Sequence, residues 1–214
     1  MSETTAVENA AIENIAGYRF VYLNDVDAQI PLQQGRCVAL DLRGTILLAP
    51  EGINLFLAGA SAAISAFLDQ LRSDQRFADF EVKRSYSKAQ PFARLKVKRK
   101  AEIVPLGVNN LDPNRAPAPR LSTAELRRWL DEGKEVVLLD TRNRFEFEQG
   151  SFDGAIDLNI SKFRDFPEAA AAMRDAWADK PIVTFCTGGI RCEKAAPLLQ
   201  SLVLTRYTSS TAAF

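Results

Sequence analysis

Histidine is missing from all 214 residues. Its absence excludes Ser-His-Asp and Cys-His catalysis and any metal site built on imidazole. Cysteine is scarce. Cys37, Cys186 and Cys192 are too few and too scattered for a four-thiolate zinc site, so no metal is expected. They suit reduced thiols in a reducing compartment. There is no net charge either: 27 basic residues balance 27 acidic ones, so nucleic-acid binding would have to rest on a local patch. No apolar run approaches membrane-spanning length, and Met1 to Ala10 is polar and acidic, unlike a signal peptide. A cytoplasmic protein with no membrane partner is expected.

What the chain does have is concentrated in Pro181 to Lys194. Ile182-Val183-Thr184-Phe185 is a short β-branched run of the kind that forms a buried strand. Glu193 to Leu199 has the composition of a helix start in spite of Pro197. Between them runs a six-residue loop from Cys186 through Thr187, Gly188, Gly189 and Ile190 to Arg191. A thiol there stands at the carboxyl end of a strand and the amino end of a helix. The first helical amides lack internal partners and, with the helix dipole, favour negative charge. Two glycines let the backbone approach, and Arg191 adds permanent positive charge. A depressed pKa and a nucleophilic sulfur follow for Cys186, provided solvent and substrate can reach it.

In the amino-terminal half, strands are expected at Tyr18 to Leu23, Gly44 to Ala49, Ile53 to Gly59 and Phe92 to Val97, with a short extended piece near Val82. A helix is expected around Leu32 to Ala39. A second follows Ser61 as its cap, with Ile64, Phe67, Leu68 and Leu71 on one face. The order strand, helix, strand, strand, helix, strand is the ferredoxin-like α+β pattern, here over residues 15–105. Cys37 is expected to be a small buried apolar residue.

From Lys83 to Lys100 the charges are basic without an acidic interruption. Arg94, Lys96 and Lys98 alternate with apolar residues and share one strand face; Arg99 and Lys100 follow. With Tyr86 and Phe92 nearby, this surface suits a phosphate backbone and stacked bases, equally a plain solvated face.

Residues 106–120 have the Pro and Asn content of a linker. In 121–214, Ser122 and Glu125 form a capping box before a helix with Leu126, Trp129 and Leu130 on its apolar side. Glu135 to Asp140 is a buried strand, with Asp140 at its functional end. A further helical region spans Glu168 to Trp177, giving a parallel α/β layer.

The Cys186 loop resembles the active-site loop of rhodanese-type domains, and Asp140-x-Arg142 followed by Gly154-Ala155-Ile156 resembles their second signature. By that resemblance Asp140 and Arg142 support the loop, although Ser151 stands where such domains often carry histidine. Two further stretches, Gly44 to Asn54 and Pro91 to Lys98, are absent from ordinary rhodaneses. Together with Cys186 to Lys194 they resemble the rhodanese-like tRNA uridine(34) hydroxylases. The resemblance implies tRNA as partner, not DNA, and molecular oxygen as co-substrate with no bound cofactor. It also implies an electron donor and Cys186 as the catalytic residue, as thiolate or persulfide, with Cys192 as a supporting thiol. Arg94, Lys96, Lys98, Arg99 and Lys100 become RNA-binding candidates. A thiosulfate-type sulfurtransferase and an inactive RNA-binding remnant are the alternatives. After Leu199 the chain departs from the family, so a truncated end and an incomplete second sheet are expected.

Overall fold

The computed structural model describes residues 11–109, 111–115, 117, 119–177, 180–202 and 207–210, the last four by backbone alone. The chain divides into two units, Met1–Ile103 and Val104–Phe214. The first contains, in chain order, β1 (Ile12–Phe20), α1 (Val26–Ala39), β2 (Arg43–Ala49), β3 (Gly52–Gly59), α2 (Ser61–Arg72), β4 (Lys83–Ser87) and β5 (Leu95–Arg99). The sheet order is β4-β1-β3-β2-β5. All pairs are antiparallel except β5, which runs parallel to β2. The ferredoxin-like pattern closes with β4, and the basic strand β5 is added at the far edge.

Alternation fixes which sheet face is covered. Ile53, Leu55 and Leu57 of β3 are fully buried and pack in one cluster with Ile64, Phe67, Leu68 and Leu71 of α2. Cys37 lies in the same cluster with no exposure, and burial pushes its thiol up to about 12. Local expectations fail at four places. The first strand is Ile12–Phe20 rather than Tyr18 to Leu23, the closing ferredoxin strand is β4 rather than the segment Phe92 to Val97, and both helix starts differ. Helix α1 begins six residues earlier than expected, at Val26, because Pro31 sits inside it and deletes only one backbone hydrogen bond. Asp25 fixes that start by accepting from the backbone amides of Ala28 and Gln29, with its carboxylate on Arg76. Ser61 is the first residue of α2 rather than its cap; Ala60 holds that place without a side-chain bond.

The second unit contains β6 (Arg120–Leu121), α3 (Thr123–Asp131), β7 (Val137–Asp140), α4 (Arg144–Phe147) and β8 (Ile156–Asp157). Then follow α5 (Phe166–Ala172), α6 (Arg174–Trp177), β9 (Ile182–Phe185), α7 (Cys192–Ser201) and β10 (Tyr207–Ser210). The order is β6-β10-β9-β7-β8 and all four pairings are parallel. Every residue of β7 and β9 is buried, as parallel strands covered on both faces require.

The expectation of a gap in this sheet is overturned. Strand β10 lies between β6 and β9 and hydrogen-bonds to both. Ladder pairing uses the backbone, and Tyr207 and Thr208 are good strand formers, so a Ser/Thr-rich segment can still fill the place. Residues 110, 116 and 118 of the expected linker lie outside the described residues. Ser122 caps α3 by accepting from the Glu125 amide, but the Glu125 carboxylate turns to Arg128 and to Trp129 Nε1. Leu130 is not on the buried side; it is 44% exposed. Among the described residues no helix is long and apolar enough to cross a membrane.

Gly44 tests the sheet. Its φ is +139°, and an added Cβ would lie 2.0 Å from the Phe56 carbonyl oxygen. Gly44→Ala should lower unfolding stability by at least ~1–3 kcal/mol in denaturant titration, whereas Gly35→Ala, with open space around it, should not.

Candidate active site at the cysteine loop

Three elements build the site. Strand β9 delivers Cys186 at its carboxyl end, α7 starts at Cys192, and β7 with Thr141 runs alongside. The turn between β9 and α7 needs Gly189 at φ +90°, a conformation that side chains rarely adopt. In that conformation the Gly189 amide donates to Cys186 Sγ at 3.1 Å. The amides of Arg191 and Cys192 also stabilise the sulfur, as the first turn of a helix does for an anion.

Cys192 contributes most. Its Sγ donates to Cys186 Sγ across 3.7 Å, and that bond is the largest influence lowering the Cys186 thiol. Burial opposes it, while the Arg191 charge and the loop amides add to it. The net result is a thiol brought down to about 6. Cys192 moves the opposite way, pushed up by burial and by the thiolate beside it, so the pair divides into one anion and one proton donor. The Thr141 hydroxyl donates to the Phe185 carbonyl at 3.0 Å and lies 3.7 Å from Cys192 Sγ.

One expectation about the sulfur fails. Cys186 is 1% exposed. Thr187 is exposed, and Gly188, Gly189, Ile190 and Arg191 are half-buried. The sulfur is ionised but covered.

Arg191 is not a loose cation. It makes a bidentate pair with Glu146 at 2.7 and 2.8 Å, and both side chains are largely buried. Glu146 also accepts from the Asn143 amide at 3.1 Å, fixing the start of α4. It is the main site residue that the sequence expectations omit; the Asn143-x-x-Glu146 spacing of a capping box was the available signal. Asp140 and Arg142 form a buried pair at 2.7 Å. Arg142 donates to the Gly150 carbonyl, and Ser151 donates to Asp140 at 2.9 Å. Ser151 thus fills a hydrogen-bonding role at the position where histidine was noted as missing.

The basic candidates separate. Lys96 and Lys98 are exposed on β5, opposite in sense to Leu95 and Val97, which pack on the core. Arg94 and Lys100 flank the strand and are exposed. Arg99 points the other way and pairs with Asp27 of α1 at 2.5 Å. Tyr86 lies opposite Glu13 on the helix-covered side of the sheet, so it does not share the Lys96 and Lys98 face. A cavity of about 420 Å³ in the second unit is lined by Glu135, Val137, Ile156, Trp177 and Lys180, with no residue of the cysteine loop. Among the described residues no three Cys, Asp or Glu side chains gather as a metal site would require.

A cysteine held as an anion at the mouth of a β9–α7 turn, in a five-stranded parallel sheet, defines a rhodanese-like domain. Residues 122–210 match the rhodanese-like domain family, and residues 12–103 match the UPF0176 acylphosphatase-like domain. A tRNA uridine(34) hydroxylase of Cupriavidus necator is 50% identical over 200 residues, covering 91% of this chain and 71% of that protein. Its namesake in Variovorax paradoxus is 53% identical over 194 residues, covering 88% and 74%. That of Thiobacillus denitrificans is 49% identical over 201 residues, covering 92% and 81%. The chain belongs to the tRNA uridine(34) hydroxylase family.

The sulfur arrangement makes a pH prediction. The thiolate is the reactive form and predominates above its pKa. Alkylation of Cys186 should therefore rise with pH through about 6 and level off before pH 8, where an ordinary thiol is still climbing. Cys192→Ala removes the principal donor and should move that profile to higher pH. Cys37 should stay unmodified in the native protein across the range. A Cys186 profile unchanged by Cys192→Ala would refute the assignment of Cys192 as a positioning residue.

Proposed function

We propose that this protein hydroxylates C5 of uridine at position 34 of tRNA, with molecular oxygen as co-substrate and Cys186 as the catalytic residue. The observation that carries the reading is the extent of the family match. Two hundred aligned residues exceed the length of either unit, so the likeness to named hydroxylases runs through both. The polarised sulfur supplies the chemistry. Its thiolate adds to C6 of the pyrimidine, and the electron pair moves into the ring toward C5 and O4. C5 then bonds to oxygen, loses its proton, and the thiolate departs to restore the double bond. One oxygen atom stays on C5. The other leaves as water, taking two electrons and two protons from an electron donor. Cys192 and the loop amides stabilise the sulfur before addition and after departure. A tRNA substrate supports a cytoplasmic location.

The test is mass analysis of tRNA nucleosides from cells lacking the protein. 5-Hydroxyuridine should disappear and return with intact protein but not with Cys186→Ser. Growth under ¹⁸O₂ should place one heavy atom in the product. Unchanged nucleosides alongside sulfur transfer from thiosulfate to cyanide would replace this reading with the sulfurtransferase. Tight tRNA binding with no product, indifferent to Cys186→Ser, would leave an RNA-binding remnant.

A further inference from the structure

The sheet of the first unit has a second face, and its residues follow from the register. Tyr18 opposes Asn54, Ala16 opposes Phe56, and Asn14 opposes Ala58 across β1 and β3. Thr45 opposes Phe56 and Leu47 opposes Asn54 across β3 and β2, and the same two residues oppose Lys96 and Lys98 of β5. Residues one step out of phase, Ile15, Leu55, Ile46 and Val97, pack with α1 and α2. The Phe56 set therefore lies on the face turned away from both helices.

One row crosses all five strands as Lys83, Ala16, Phe56, Thr45 and Lys96. Phe56 is 47% exposed, because its lateral neighbours are the small side chains of Ala16 and Thr45. In the next row stand Tyr18, whose ring meets Phe20 edge-on at 6.0 Å, and Lys98. Glu13 is the only acidic residue in the five strands; it is 2% exposed, on the opposite face, and paired with Arg84. The chain at Ile103 crosses this face beside Asn54, whose side-chain amide donates to the Ile103 carbonyl at 3.1 Å. Around Phe56 the face stays exposed, aromatic at its centre and cationic at both edges.

Charge chooses the occupant. A face with lysines on its edges, and with the one carboxylate of its strands turned to the other side, suits a polyanion. An aromatic ring standing free at mid-sheet adds nothing to a duplex, whose bases are already stacked, but offers a π-face to an unpaired base. Neighbouring strands lie ~4.8 Å apart, so Lys96 stands ~10 Å from Phe56, within side-chain reach of the phosphates flanking a base on that ring. We propose that this face is a base-stacking platform for unpaired tRNA nucleotides, with Phe56 beneath one base and Lys96 and Lys98 on the adjoining phosphates. The proposal rests on the reading that tRNA is the substrate and adds where its single-stranded part is held.

The experiment measures binding of a labelled anticodon stem-loop, and of a paired duplex of equal length, to the full chain and its variants. Phe56→Ala should weaken stem-loop binding roughly 5- to 150-fold, leave duplex binding and thermal unfolding unchanged, and be rescued by Phe56→Trp. The Lys96→Ala/Lys98→Ala variant should weaken both RNAs and flatten the salt dependence. Equal affinity of Phe56→Ala and wild-type protein for the stem-loop would overturn the platform. So would an equal loss on both RNAs, or a change confined to self-association, which would give the face to a second copy of the chain. The two levels separate cleanly. Unchanged stem-loop affinity in Phe56→Ala, with product lost only in Cys186→Ser, would remove the platform and keep the hydroxylase. Stem-loop binding that needs Phe56, in a protein yielding no 5-hydroxyuridine, would do the reverse.

Discussion

A negative sulfur with 1% exposure is the constraint on which the second unit depends. Taking a charge out of water is costly unless fixed donors replace the lost hydration. Here the donors are the Cys192 thiol and the amides of Gly189, Arg191 and Cys192, with Arg191 charge behind them. Each depends on the turn from β9 into α7. Without Gly189 at positive φ its amide would not meet the sulfur, and without α7 starting at Cys192 the last two amides would be spent inside a helix.

The surrounding pairs hold that turn in place. Glu146 binds both terminal nitrogens of Arg191 while taking the Asn143 amide, which ties α4 to the cysteine loop. Asp140, Arg142 and Ser151 clamp the chain after β7 onto the strand end, and Thr141 fastens β7 to the Phe185 carbonyl just ahead of Cys186. Arg191 therefore acts on Cys186 as a fixed charge whose own field is partly offset by Glu146. The Cys192 thiol donor is the largest influence that keeps the sulfur negative, followed by the Arg191 charge and then the loop amides.

Much of this was legible in the sequence where local chemistry decides it. The cysteine loop, the buried face of α2 and the parallel strands β7 and β9 follow from glycine placement, helical spacing and apolar runs. What was not legible depends on partners distant in sequence. The 1% exposure of Cys186 depends on how the whole turn packs, and the Arg191–Glu146 pair joins residues 45 apart. Leu130 lies on the apolar stripe of α3, yet the fold leaves it 44% exposed. Strand β10 was hard to read because it is short and has no apolar run, and its place is set by two neighbouring backbones. The early start of α1 was hidden by Pro31, a helix breaker in general but a tolerable loss here.

Access and reactivity oppose each other at this site, and the opposition limits how substrate can arrive. Lifting the whole loop would expose Cys186 but would withdraw the amides that keep it ionised, and the thiol would regain its proton. Reaction therefore requires an approach that leaves Gly189 to Cys192 in place. The backbone amides that hold the sulfur belong to Gly189, Arg191 and Cys192. Thr187 is exposed, and Gly188 has open space where a Cβ would stand. In the proposed reaction, a base that reaches Cys186 without displacing those amides meets a sulfur still held as an anion. Entry from the α7 side would meet a neutral thiol with much weaker nucleophilicity.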